Sequence, residues 1–150
     1  MLKRFTFWLW AAGVFQLLTA LIHSVGLFIA LEPQNDTERQ LDHLMSSYRM
    51  DMGGGFNPSM ENLFTALSSC FSFLCLLGGL TTLLLLRKKA PLDIIRGSVK
   101  IHILVFGACF AVMAFFTFLP PIVMTGLIFI SLIIALVLMP SVHQAPIPQK

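Results

Sequence analysis

The stretch ILVFGACFAVMAFFTFLPPIVMTGLIFISLIIALVLM, residues 103–139, holds no aspartate, glutamate, lysine or arginine. It is too long for one membrane crossing, because a hydrocarbon core of about 30 Å takes roughly 20 apolar residues. Pro120 and Pro121 divide it. Each proline lacks a backbone donor and disfavours helical geometry in the residue before it. The stretch therefore predicts a tight helical hairpin, with spans Ile101 to Leu119 and Ile122 to Met139, in preference to a single kinked helix.

Two more runs of this kind lie upstream, Phe5 to Leu31 and Leu63 to Leu86. The whole chain of 150 residues is 57% hydrophobic and only 11% charged, far from the roughly one quarter charged of soluble domains. These features predict an all-α fold, an integral membrane bundle of four transmembrane helices in a single domain, 1–150. A short amphipathic helix is expected in the first extracytoplasmic loop. The first run exceeds the apolar region of a cleaved signal peptide, and no small-x-small site precedes Glu32, so an uncleaved anchor is expected.

Lysine and arginine bias short loops to the cytoplasmic side. Lys3 and Arg4 precede the first span, and Arg87, Lys88, Lys89, Arg96 and Lys100 fall in the segment 87–100 between the second and third. The segment 32–62 carries Glu32, Asp36, Glu38, Asp42, Asp51 and Glu61 against Arg39 and Arg49. Both termini are thus expected in the cytoplasm and 32–62 outside, the arrangement of a multi-pass protein of a bacterial cytoplasmic membrane. The net charge of +3 is largely this topological signal and leaves no nucleic-acid footprint. Cys70, Cys75 and Cys109 all fall inside predicted spans, which implies packing thiols instead of a disulfide framework or a surface CxxC pair.

Within the outer segment, Thr37 to Gln40 (TERQ) matches a capping box, and Leu41, Leu44, Met45 and Tyr48 recur at helical spacing. A short helix on the bundle or at the membrane interface follows. Next come three glycines, Gly53 to Gly55, and the turn signal Asn57-Pro58-Ser59, which suit a hinge or linker. No Lys-Ser/Thr pair follows the glycines, so a phosphate-binding loop is not supported. Asn35-Asp36-Thr37 is a glycosylation sequon that matters only in a eukaryotic secretory pathway.

Helices in lipid associate through small residues and hydrogen-bonding side chains. The first span places Ala12, Gln16, Thr19, His23 and Gly26 on one face; the second places Glu61, Thr65, Ser68, Ser72, Cys75 and Gly79 on one face, flanked by Ser69. The third offers Gly107, Ala111 and Ala114. At 1.5 Å per residue, His23 lies about 12 Å below the outer end of its span, and Ser68 and Ser69 lie about 9 Å below theirs. His23 is therefore expected to reach a serine hydroxyl, with Glu61 at the mouth. This polar cluster is either closed packing by a neutral imidazole or the wall of a ligand site, since an ionisable residue within a span is by default a functional hypothesis.

No cofactor or metal is expected. His102 begins the third span on the cytoplasmic side and His23 sits in the outer half, more than about 15 Å away along the membrane normal, so they cannot clamp one haem. His23 with Met113 has no distinguishing feature. His43 and His143 have no ligand-spaced partners for zinc. The basic residues Arg87, Lys88, Lys89, Arg96 and Lys100 are expected to meet anionic lipid headgroups, and the proline-rich tail, Pro140 to Lys150, is expected to be disordered.

The His-Ser-x-Gly ending of the first span, His23 to Gly26, with YRMDMGGGFNPSMENLFTALSSCFSFLCLLGGL at Tyr48 to Leu80, resembles a family of small bacterial four-span integral membrane proteins of uncharacterised activity. The resemblance covers about the first half of the chain, implies the same topology, and brings no catalytic residue. The function expected from all of this is a non-enzymatic accessory or interaction subunit that binds membrane lipid or a quinone-like ligand between its helices, as a homo-oligomer or in a larger membrane complex. The alternative is a membrane-embedded enzyme with an outer-leaflet site at His23, Glu61 and Ser68 or Ser69, although the chain lacks the clustered carboxylates and histidines that such chemistry usually needs. A transporter would call for an oligomer or an internal repeat, and no convincing repeat is present.

Overall fold

The computed structural model describes residues 2–29 and 32–140. Ala30 and Leu31, expected to end the first span, and the tail from 141 on, including His143, lie outside the described residues. Five α-helices follow one another: α1 (Leu2–Gly26), α2 (Asp36–Ser47), α3 (Met60–Arg87), α4 (Leu92–Phe116) and α5 (Leu119–Leu138). Among the described residues there is no strand, only a single bridge between Arg49 and Ser59. Four helices are long and apolar enough to cross a membrane: Arg4–Gly26, Met60–Arg87, Leu92–Phe116 and Leu119–Leu138.

The helix ends show which local chemistry prevailed. Pro120 and Pro121 sit in the first turn of α5, after the extended residue Phe118, where the amide that proline lacks would have had no helical partner. The chain reverses at Thr117 and Phe118. The segment 87–100, expected as a loop, is helical from Leu92, with Pro91 capping α4 and only 88–91 joining it to α3. The charged residues end the apolar run without ending the helix: Ile95 and Val99 are buried one turn apart, while Asp93 and Lys100 are exposed. The cap of α2 is Asn35, not Thr37. Its Oδ1 accepts from the Glu38 amide at 2.9 Å, and the Glu38 carboxylate accepts from Asn35 Nδ2 at 2.8 Å and from the Gln34 amide at 2.6 Å. Asn is a better cap than Thr, and Glu at the third helical position completes the box.

The chain forms two compact units, Met1–Thr19 with Leu76–Lys150, and Ala20–Cys75. The first holds nearly all of the apolar core: Phe5, Leu9, Ala12, Phe106, Ile128, Leu132 and Ala135 are buried. In it α4 and α5 pack as a hairpin. A Cβ on Gly107 would lie 2.8 Å from Phe129 and one on Gly126 3.2 Å from Phe110, and those two phenylalanines stack at 6.0 Å. At the open end of the hairpin Arg96 donates to the Pro140 carbonyl. Of the expected contact face on α4, Gly107 is used, whereas Ala111 and Ala114 are exposed. The buried face runs instead through Ile95, Val99 and Phe106, and Phe106 lies against Gly78 of α3.

The second unit is held largely by local polar contacts. Met50 N donates to Pro58 O and Met52 N to Phe56 O, both at 3.0 Å. Gly53, Gly54 and Gly55 turn the chain with φ of 79°, 63° and 84°, angles that a side chain disfavours. Ser59 and Asn62 then start α3 with a reciprocal box: Ser59 Oγ accepts from the Asn62 amide at 3.2 Å, and Asn62 Oδ1 accepts from the Ser59 amide at 3.3 Å. The same Oδ1 accepts from Ser59 Oγ at 2.6 Å and from Arg49 at 3.1 Å, which ties the turn to the helix start.

Candidate functional site

In the first unit Gln16 is 0% exposed, and neither its amide nitrogen nor its amide oxygen has a hydrogen-bond partner. It lies where α1 and α3 approach closely. A Cβ on Gly78 would come within 3.3 Å of the Gln16 amide carbon and 3.1 Å of Phe106. One on Gly79 would lie 2.8 Å from Leu17 and 3.1 Å from the Gly13 carbonyl oxygen, and one on Gly13 would lie 2.8 Å from Leu83. This is a glycine seam of the kind that lets helices approach without a hydrophobic drive between them. Thr19, also buried, returns its hydroxyl to the Phe15 carbonyl at 2.7 Å, within its own helix.

In the second unit His23 is half-buried, and its Nε2 is buried without a hydrogen-bond partner. The expected bond to Ser68 or Ser69 is not formed. The imidazole instead meets Phe71 edge to face, with ring centroids 5.1 Å apart and planes at 87°. Ser69 donates to the Thr65 carbonyl at 2.7 Å, satisfying itself within α3. A serine inside a helix can bond the carbonyl one turn back, a nearer acceptor than a side chain on another helix. Ser72 is buried with an unpartnered hydroxyl, Ser68 is half-buried, and Glu61 and Thr65 are exposed.

The basic residues separate into two kinds. Arg87, Lys88, Lys89 and Lys100 are exposed. Arg96 is half-buried with its Nε unpartnered and its terminal amine on Pro140, so it serves the hairpin. His102 is likewise occupied. Its Nδ1 donates to the Ser98 carbonyl at 2.8 Å, and its ring stacks on Phe106. Among the described residues no three His, Cys, Asp or Glu side chains come together as metal ligands would.

Sequence reasoning missed two features. Thr125 and Ser131 are buried on α5 with Ile128, Leu132 and Ala135. Both are visible in the sequence as polar positions, but the apolar average of the run around them masks the face they belong to. The Arg49, Ser59 and Asn62 cluster was also missed, although Ser-x-x-Asn ahead of an apolar run is a variant of the capping signal. No protein-family model matches the chain, and neither does any curated protein or solved structure.

Proposed function

We propose that the chain is a multi-pass integral membrane protein acting as a non-catalytic accessory or interaction subunit, with both termini on the cytoplasmic side of a bacterial inner membrane. The lysines and arginines at the start of α1 and between α3 and α4, against the acidic segment 32–62, support this orientation. Leu41 and Leu44 of α2 and Tyr48 beyond its end are each more than half exposed, which suits an amphipathic helix resting at the membrane interface. Exposed Phe73, Phe115 and Phe116 suit contact with lipid, a second copy or another membrane subunit.

The observation that carries the non-catalytic reading is the seam around Gln16, where the first half of the polar stripe of α1, Ala12, Gln16 and Thr19, is buried. Gln16→Leu tests it. Apolar packing at that position should keep or raise thermal stability in detergent, by about 1 kcal/mol, because an unpaired buried amide costs about 1–3 kcal/mol. The reading is overturned if the purified protein carries a stoichiometric quinone-like molecule that Gln16→Leu removes. The enzyme alternative rests on the free Nε2 of His23, although Glu61 is exposed and Ser68 makes no bond to the imidazole.

A further inference from the structure

One groove in the first unit joins two chemistries. It has a volume of about 690 Å³ and is lined by Trp10 of α1 with Leu80, Leu83, Leu84 and Arg87 of α3 and Lys88 just beyond it. Its size lies within the range of small-molecule sites, roughly 300–1,000 Å³. Trp10, Leu80 and Leu84 are 41%, 53% and 56% exposed, so the apolar floor is open to the surroundings. Both cations stand at one end of that floor, at the end of α3. Among the described residues no carboxylate pairs with either.

The turn beyond them is a helix cap that carries one more cation. Ala90 N donates to Leu85 O at 3.0 Å and Lys89 N to Leu86 O at 3.1 Å, the paired bonds of a Schellman cap. That cap wants glycine in the left-handed position, and here it is Lys89, with φ of 50°. A residue with a side chain is disfavoured in this conformation. A third cation thus stands where glycine would be the more stable choice, directly after Arg87 and Lys88.

A floor of tryptophan and leucine ending in unpaired cations complements an amphiphile with an apolar chain and an anionic head. We propose that this groove binds one anionic phospholipid, its acyl chain along Trp10, Leu80, Leu83 and Leu84 and its phosphate on Arg87 and Lys88. Tryptophan is at home at the boundary between headgroups and chains, and each cation near a membrane surface favours anionic lipid by about 1 kcal/mol. Arg96 takes no part because its guanidinium is engaged with Pro140. The proposal rests on reading α1 and α3 as membrane spans.

The test uses the full chain reconstituted in nanodiscs of phosphatidylcholine with phosphatidylglycerol, followed by extraction in mild detergent and native mass spectrometry of the retained lipid. The wild type should keep one phosphatidylglycerol in preference to phosphatidylcholine. Arg87→Gln with Lys88→Gln should lower that preference about 25-fold, at about fivefold per cation. Arg87→Lys, which keeps the charge, should retain most of it and shows that the fold tolerates change there. Equal retention of the two lipids by the wild type, or an unchanged preference in the double variant, overturns the proposal. Vesicle flotation after carbonate washing separates this from failure of the membrane reading, since a protein that does not span would be lost at that step whatever its lipid preference.

Discussion

Glycine does opposite work in the two compact units, Gly97 of α4 apart, which stands in open space. In Met1–Thr19 with Leu76–Lys150, Gly13, Gly78, Gly79, Gly107 and Gly126 all lie in helices, and a Cβ on any of them would press against a neighbouring side chain. In Ala20–Cys75, Gly26, Gly53 and Gly55 have open space around them, and Gly54 meets only the nearby Phe56. There the triple glycine is required for its backbone angles. One unit is thus specified by packing and the other by local hydrogen bonds and turn geometry, with polar caps where the first has phenylalanine against glycine.

The strongest way to break this contrast is Gly79→Ala. Its added methyl would meet Leu17 and the Gly13 backbone, and overpacking of this kind costs about 1–3 kcal/mol. Thermal unfolding in detergent should show a clear loss, and an unchanged midpoint would mean that the seam is not tightly closed. Gly54→Ala, in the other unit, should cost about 1–2 kcal/mol through φ alone. That loss should appear in hydrogen exchange at 49–59 while α4 and α5 keep their protection; a global loss would show that the units are not independent in stability.

Asn62→Ala removes the acceptor shared by Ser59 and Arg49 and should cost about 1 kcal/mol, the usual value of a cap. Limited proteolysis near Arg49 reports it, and equal cleavage of wild type and variant would refute the cluster as a tie. Lys89→Gly should add about 1 kcal/mol by relieving the left-handed lysine; a fall in the melting midpoint would show that the lysine side chain contributes more than its backbone loses. Smallest is Gly26→Ala, in open space at the end of α1, expected to change stability by less than about 1 kcal/mol in either direction. A large effect there would mean that the second unit also relies on close approach.

The contrast also explains what was legible in the sequence. Four apolar helices follow from the absence of charge over long runs, a property additive along the chain, and the prolines marked the turn between α4 and α5. The start of α4 was misplaced because charge was taken to end the helix, whereas Ile95 and Val99 continue the buried face between charged neighbours. The polar cluster was legible as residues but not as bonds. Gln16 and His23 were recognised as polar positions inside apolar helices, yet Gln16 meets a glycine seam and His23 meets Phe71, not serine. Helical periodicity tells which residues share a face. It does not tell whether the partner opposite is a hydroxyl or a ring.

The clasp between Arg96 and Pro140 can form only late in synthesis. Its two ends are 44 residues apart, and the carbonyl it uses is made only after all of α5. While the ribosome is still adding α5, the guanidinium near the start of α4 has no such acceptor. The open end of the hairpin is therefore fastened only once both helices are complete.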